Sequence, residues 1–403
     1  MRGETDTGIY DKVKSIPNSG FNWNEVMMKA QLNAGIPLLY HKLKGIGGSI
    51  PQSVLQTLKA GYYLNAFRNE HLYHELGNIL KVLKEDGIEP IVLKGAALTA
   101  TVYQDKALRF FHDIDLLIRK RDLARAGEKL LEIGYKQNIQ LSIEKQCKIQ
   151  KHLVPFEGPD KEILELHWNI SNFIHGYTID IEGFWKRARP CTIAGVEALI
   201  LCPEDLILHQ CLHTAAHIFS GGLKHLYDIS QTLWYYHDEI DWEQVTLRTH
   251  EWKSEKCVYL TLRLAEEVLQ VTIPPAVLED LKPDNFDPQI IDLAIEQLFS
   301  NAVPRPNIIA RLWVAPHMKA KIAIFQQGLF TSLRAVSGIY DLDLSSKKAL
   351  LYYPLYLKSN IFLYIKTAWR LLSNKEELMN YKTSHNQNKK SDILRNWFIS
   401  PEV

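Results

Sequence analysis

The sequence predicts an α+β fold, a small mixed β-sheet set between helical regions. Three observations predict it. Residues 23–86 carry apolar side chains at helical spacing. Residues 88–170 carry short alternating runs punctuated by glycine and proline. From about Cys191 the spacing becomes helical again. With 403 residues the chain has room for two or three domains. Four regions are expected: helical 1–86, a β-containing core at 87–190, helical 191–300, and helical 301–403 ending in a mobile tail.

The first region begins with loosely ordered residues 1–20. Trp23 to Leu43 then shows helical spacing broken at Gly35 and Pro37. Gln52 to Glu85 is a long amphipathic pattern, with an interruption expected near Gly61 and a stop signal at Asp86-Gly87. In the core, Pro90 to Leu93 predicts a strand, Lys94-Gly95 a tight turn, and the residues through Tyr103 a helix. The run 111–118 predicts a second strand. Leu123, Ala126, Leu130 and Ile133 form the apolar stripe of a helix from Asp122, closed by Gly134. Residues 149–170 predict a hairpin around Gly158-Pro159-Asp160. Further helices are expected at Pro203 to Phe219, Leu223 to Tyr236 and Ser254 to Val271. The aromatic run 350–365 reads as a core helix of the last region, and the tail is polar from Asn374.

Composition excludes several function classes. Lysine and arginine (47) balance aspartate and glutamate (46), so no global field draws nucleic acid, and no dedicated nucleic-acid binding is expected. The five cysteines are scattered with no Cys-x-x-Cys pair, which fits a reducing, cytoplasmic setting better than a disulfide framework. No run of eighteen apolar residues predicts a transmembrane segment.

The chemistry concentrates in two runs, Ile91-Val-Leu-Lys-Gly-Ala-Ala-Leu98 and Phe111-His-Asp-Ile-Asp-Leu-Leu-Ile118. Side chains alternate along a strand, so Asp113 and Asp115 share a face while Ile114, Leu116 and Ile118 face the core. Carboxylates two positions apart stand roughly 6–7 Å from each other. At an effective dielectric of about 20 they repel by about 2–3 kcal/mol, and a divalent cation would reverse that. Oxygen-rich sites of this kind suit Mg²⁺ with substrate phosphates. The glycine turn before a helix offers free N–H groups to phosphate. A third carboxylate is what two-metal phosphoryl transfer needs, and Glu165 offers it from the polar face of a strand that also carries His167.

This constellation (Gly95-Ala96, then Asp113-Ile114-Asp115, then Glu165) resembles the nucleotidyltransferase superfamily to which DNA polymerase beta belongs. The runs LKGAALTATVY, LRFFHDIDLLI, LLEIGY, LELHW, LHQCLHTAAH and LKHLYDIS resemble more closely an uncharacterised bacterial nucleotidyltransferase family, over roughly residues 20 to 270. The resemblance implies Mg²⁺-dependent transfer of a nucleoside monophosphate from an NTP to a small-molecule or peptide acceptor, with release of pyrophosphate. It implies catalytic and metal-binding roles for Asp113, Asp115 and Glu165, with two Mg²⁺ ions. It also implies a helical wall beside the cleft carrying His213, His217 and Asp228. Two positions depart from the pattern: Ala96 replaces a serine or glycine, and His112 stands where glycine is common.

Other residues admit two readings. Lys94 contacts phosphate from the turn, or is a surface lysine at a strand end. Arg109 holds triphosphate as a planar fork, or pairs with Asp113 or Asp105. His167 orients the acceptor or acts as a base, or is a satisfied core histidine. His209, His213 and His217 form one helical stripe. A zinc reading of that stripe lacks the glutamate the catalytic motif requires, since Thr214 stands there. Two alternatives of other classes remain, a nucleotide-binding interaction protein without catalysis and an RNA-directed transferase.

Overall fold

The computed structural model describes residues 22–45, 50–103, 105–137, 142–147, 151–171, 176–299, 350–358 and 390–398. The chain divides into two units, residues 1–299 with 397–403, and residues 300–396. The first unit opens with α1 (Trp23–Leu32), α2 (Ile36–Leu43) and the 34-residue α3 (Gln52–Glu85). The break between α1 and α2 falls at Gly35 as expected, with Pro37 accommodated in the first turn of α2.

The expected interruption of α3 does not occur. A Cβ at Gly61 would lie 2.5 Å from Ile36 Cγ2, so this glycine admits α2 against a continuous helix rather than breaking it. Further along α3, Leu72, Leu76, Ile79, Leu80 and Leu83 recur at helical spacing and are buried in the main core. Each such leucine contributes about 1.5–3 kcal/mol by leaving water. The helix stops at Asp86, and Gly87 takes φ +70°.

A six-stranded mixed sheet follows, in the order β3-β4-β2-β1-β6-β5. Its members are β1 (Ile91–Val92), β2 (Asp113–Leu117), β3 (Phe156–Glu157), β4 (Ile163–His167), β5 (Arg189–Ile193) and β6 (Val196–Ile200). β1 pairs antiparallel with β2 and parallel with β6, and β2 pairs parallel with β4. Helix α4 (Lys94–Thr101) connects β1 to the segment before β2, and α5 (Leu123–Glu132) follows a 3₁₀ turn at Lys120–Asp122. The short α6 (Ile143–Gln146) precedes the β3–β4 hairpin, which joins as the sequence predicts. Ile114, Leu116, Leu164 and Leu166 are buried on the core face, as the alternation requires.

One expectation is corrected here. Residues from Cys191 were expected to be helical, yet β5 and β6 form an antiparallel hairpin and the sheet runs to Ile200. Ala194-Gly195 turn it, both at positive φ, and β6 inserts beside β1. Helix α7 (Ile181–Arg187) precedes this hairpin. Beyond it come α8 (Pro203–Ala216), α9 (Leu223–Tyr235), α10 (Trp242–Glu251), α11 (Glu255–Leu269), α12 (Pro275–Asp280) and α13 (Gln289–Leu298).

In the second unit residues 350–358 are helical, but Leu350, Leu351 and Leu355 are more than half exposed, so this part of the aromatic run is not the core helix expected. The expectations for residues 1–20, 359–365 and the tail from Asn374 to residue 389 lie outside the described residues.

Candidate active site

The parallel register of β2 and β4 sets Asp115 directly opposite Glu165. Asp113 precedes Asp115 by two residues on the same face, and both Asp113 and Glu165 line a cleft of about 640 Å³. Asp115 is 1% exposed and lies beneath them. Its Oδ1 accepts from Lys94 Nζ at 2.6 Å and from His167 Nε2 at 2.8 Å. The Glu165 Oε2 lies 3.1 Å from the same imidazole nitrogen and 3.7 Å from Lys94 Nζ. Among the described residues Asp115 Oδ2 has no hydrogen-bond partner.

Charge follows geometry. Burial alone would raise the Asp115 carboxyl, but Lys94 and His167 outweigh it and hold it well below the usual carboxylate range. Burial also opposes ionisation of Glu165, and the His167 hydrogen bond and Lys94 pull it below its ordinary value. Asp113 goes the other way, raised by burial and then by the charge on Asp115. For Lys94 burial favours the neutral amine, yet Asp115 and Glu165 keep it an ammonium and raise it.

The local fold explains why these groups meet. Leu93 N–H donates to Asp115 O at 3.0 Å, locking the end of β1 to β2. Lys94 then takes φ +47°, which swings the chain into α4. A Cβ on Gly95 would lie 2.4 Å from Phe111 Cβ and 2.6 Å from Arg109 Nη1, so only glycine lets α4 start against the residues entering β2. Tyr73 of α3 donates to Ala96 O at 2.6 Å and fixes the helix start from behind.

Among the described residues, one set of three metal-ligating side chains has donors within 4.8 Å of one another: Asp115, Glu165 and His167. That cluster is compatible with a metal ion. A family described as uncharacterised nucleotidyltransferase matches residues 19–270, well over half of the chain. The chain belongs to this nucleotidyltransferase family. No curated protein and no solved structure matches it. The enzyme is therefore a transferase for which an NTP is the implied substrate.

The remaining sequence candidates of this nucleotidyltransferase fall into two places. Arg109 pairs with neither Asp113 nor Asp105. It is 6% exposed and forks onto Asp228 of α9, Nε to Oδ1 at 3.0 Å and Nη2 to Oδ2 at 2.7 Å. Tyr103 donates to the same Oδ1 at 2.7 Å. Asp105 instead accepts from the Tyr62 hydroxyl. Arg109 and Asp228 thus tie the sheet side of the cleft to its helical wall, and both line it. His167 is 1% exposed and holds two carboxylates from below rather than lining the cleft.

On the helical wall, His209 and His213 of α8 and His217 at its C-cap are joined by His225 of α9. Ring centroids stand 4.7 Å apart for His213 and His217, and 5.0 Å for His213 and His225. Their nitrogens are not among the groups that converge for a metal. Burial holds all four below the ordinary histidine value, His225 down to about 3, and nearby lysines push the same way.

Sequence reasoning missed four basic residues of the cleft: Lys151, His152, Lys224 and His225. One signal was present. Helix α9 begins with Lys224-His225 and has no acid in its first turn, whereas α8 begins with Glu204-Asp205. Cations at a helix N-terminus oppose the macrodipole and ask for a reason.

Proposed function

We propose that the enzyme transfers a nucleoside monophosphate from an NTP to a small-molecule or peptide acceptor and releases pyrophosphate. The observation that carries this reading is the Asp115–Glu165 register, with Asp113 beside it at the cleft. The residues fit a hard divalent cation. Asp115 Oδ2 is buried without a partner among the described residues, and the Lys94 ammonium stands where positive charge is wanted. Asp113, Asp115 and Glu165 would hold Mg²⁺, two ions in this reading, which when bound withdraws charge from the phosphoryl oxygens.

The chain's own groups do the rest. The first turn of α4, at Lys94, Gly95 and Ala96, presents N–H groups to phosphate. Lys94, released from Asp115, is then free to meet the triphosphate. Arg109 contributes by fixing the cleft wall through Asp228. The acceptor oxygen forms a bond to the α-phosphorus as the bond to the bridging oxygen breaks, and pyrophosphate leaves. The acceptor proton passes to a carboxylate of the trio, Glu165 in this reading. His213, His217 and Asp228 shape the acceptor side, while His167 positions Asp115 and Glu165. A reducing, cytoplasmic setting belongs to this reading, and among the described residues no helix is long and apolar enough to cross a membrane.

Thermal shift with each NTP, with and without Mg²⁺, tests the reading. Stabilisation is expected only with both present and is expected to vanish in Asp115→Asn. Equal stabilisation by NTP without metal would favour a non-catalytic nucleotide binder.

A further inference from the structure

Two cleft lysines lie near acidic groups without pairing with them: Asp115 and Glu165 attract Lys151, and Asp228, Asp113 and Asp115 attract Lys224. Both line the cleft, and neither ammonium makes a hydrogen bond or ion pair among the described residues. Lys151 is fixed there because its carbonyl accepts from Trp168 N at 3.0 Å and Asn169 N at 3.1 Å, just past β4. Lys224 sits in the first turn of the 13-residue α9. Asn33 Oδ1 caps the Leu223 N–H at 2.9 Å, and the next N–H groups, by their place in the first turn, lack intrahelical acceptors.

The wall is also built around unused nitrogens. His209 is 2% exposed, lines the cleft, and its Nδ1 has no hydrogen-bond partner among the described residues. The Nδ1 atoms of His213 and His225 are likewise buried without partners. A Cβ on Gly221 would lie 2.4 Å from His225 Nδ1, so glycine there makes room for this ring at the mouth of the helix. Two lysine cations and a helix N-terminus favour an oxyanion, to which a neutral imidazole adds one N–H donor.

We propose that Lys151, Lys224 and the His217–His225 wall form a second anion site, which takes a phosphate or carboxylate group carried by the acceptor. This rests on the reading above and narrows the acceptor to an acidic molecule. The reason for assigning the acceptor is the pairing of two helix N-termini across one cleft. The first, at α4, adjoins the carboxylates and serves the triphosphate. The second, at α9, serves what the nucleotide is transferred to. The γ-phosphate of the NTP has the same chemistry, and the experiment separates the two sources.

Inorganic phosphate is titrated calorimetrically into the full chain, first alone and then saturated with Mg²⁺ and a non-hydrolysable ATP. Phosphate is expected to bind in both states. Lys224→Gln and Lys151→Gln are expected to weaken it at least fivefold, with Lys224→Arg restoring it, while ATP affinity stays within twofold. Circular dichroism melts confirm that each variant folds. If the variants weaken ATP instead, or if bound ATP excludes phosphate, the site belongs to the NTP and the proposal fails. Phosphate binding that ignores both substitutions also overturns it. Should Mg²⁺-ATP not bind at all, the nucleotide reading fails separately, and the titration without ATP still decides the anion site.

Discussion

Lys94 and Asp115 form a buried ion pair at 2.6 Å between the first turn of α4 and the centre of β2. In the metal-free protein the lysine ammonium balances the carboxylates that the proposed function assigns to Mg²⁺. Lysine and metal therefore compete. Lys94→Met is expected to tighten Mg²⁺ binding on the order of tenfold and to lower the stability of the metal-free chain. Calorimetric Mg²⁺ titration with paired melts reads both effects. Unchanged or weaker Mg²⁺ affinity would remove the competition.

The Arg109–Asp228 fork is closed on both sides by burial. Truncating one partner leaves the other charged and unpaired. Asp228→Ala is expected to cost about 3–5 kcal/mol in urea unfolding. A loss below 1 kcal/mol, within the range of a surface pair, would contradict the buried-pair account.

A Cβ on Gly95 would meet Phe111 and Arg109 at distances that real side chains do not tolerate. Gly95→Ala is expected to destabilise by about 1–3 kcal/mol, because α4 must move away from β2. The same shift withdraws Lys94 from Asp115, so Mg²⁺-dependent NTP stabilisation should fall with it. Wild-type values for both measurements would show that α4 has slack.

The histidine wall gives an acid limit to stability. His225 is pushed down to about 3, first by burial and then by Lys224, with Arg109 acting in the same sense and Asp228 against it. An unfolded histidine titrates near 6.5. Between about 3 and 6.5 the unfolded chain binds the extra proton, so stability is complete above about 6.5 and is lost as pH falls. At pH 5 the loss is about 2 kcal/mol for this residue. The urea midpoint of His225→Gln should accordingly change less between pH 7 and 5 than that of the wild type. Parallel pH profiles for the two proteins would refute this.

Much of the site was legible because strands impose a period of two. Asp113, Asp115 and Glu165 were placed on polar faces by alternation alone, and β2–β4 pairing then brought Asp115 and Glu165 together. The β5–β6 hairpin was not legible. Val196–Ile200 is a short apolar run that periodicity cannot separate from buried helix, and only pairing with β1 makes it a strand. Gly61 misled for a related reason, since a glycine that breaks a helix and one that admits a neighbour look the same in sequence.

By itself the sequence determined the elements from α3 to β2, the face each carboxylate occupies and the glycine turn beside them, because these depend on residues a few positions apart. Tertiary structure alone decided partners. Asn65 and Asn69 of α3 donate to the carbonyls of Ala107 and Arg109, which holds the Arg109 loop where Asp228, 119 residues further on, can reach it. It likewise put Lys94 on Asp115 and brought Lys151 and Lys224 to the lining of one cleft, since charges separated by scores of residues meet only when the core between them is packed.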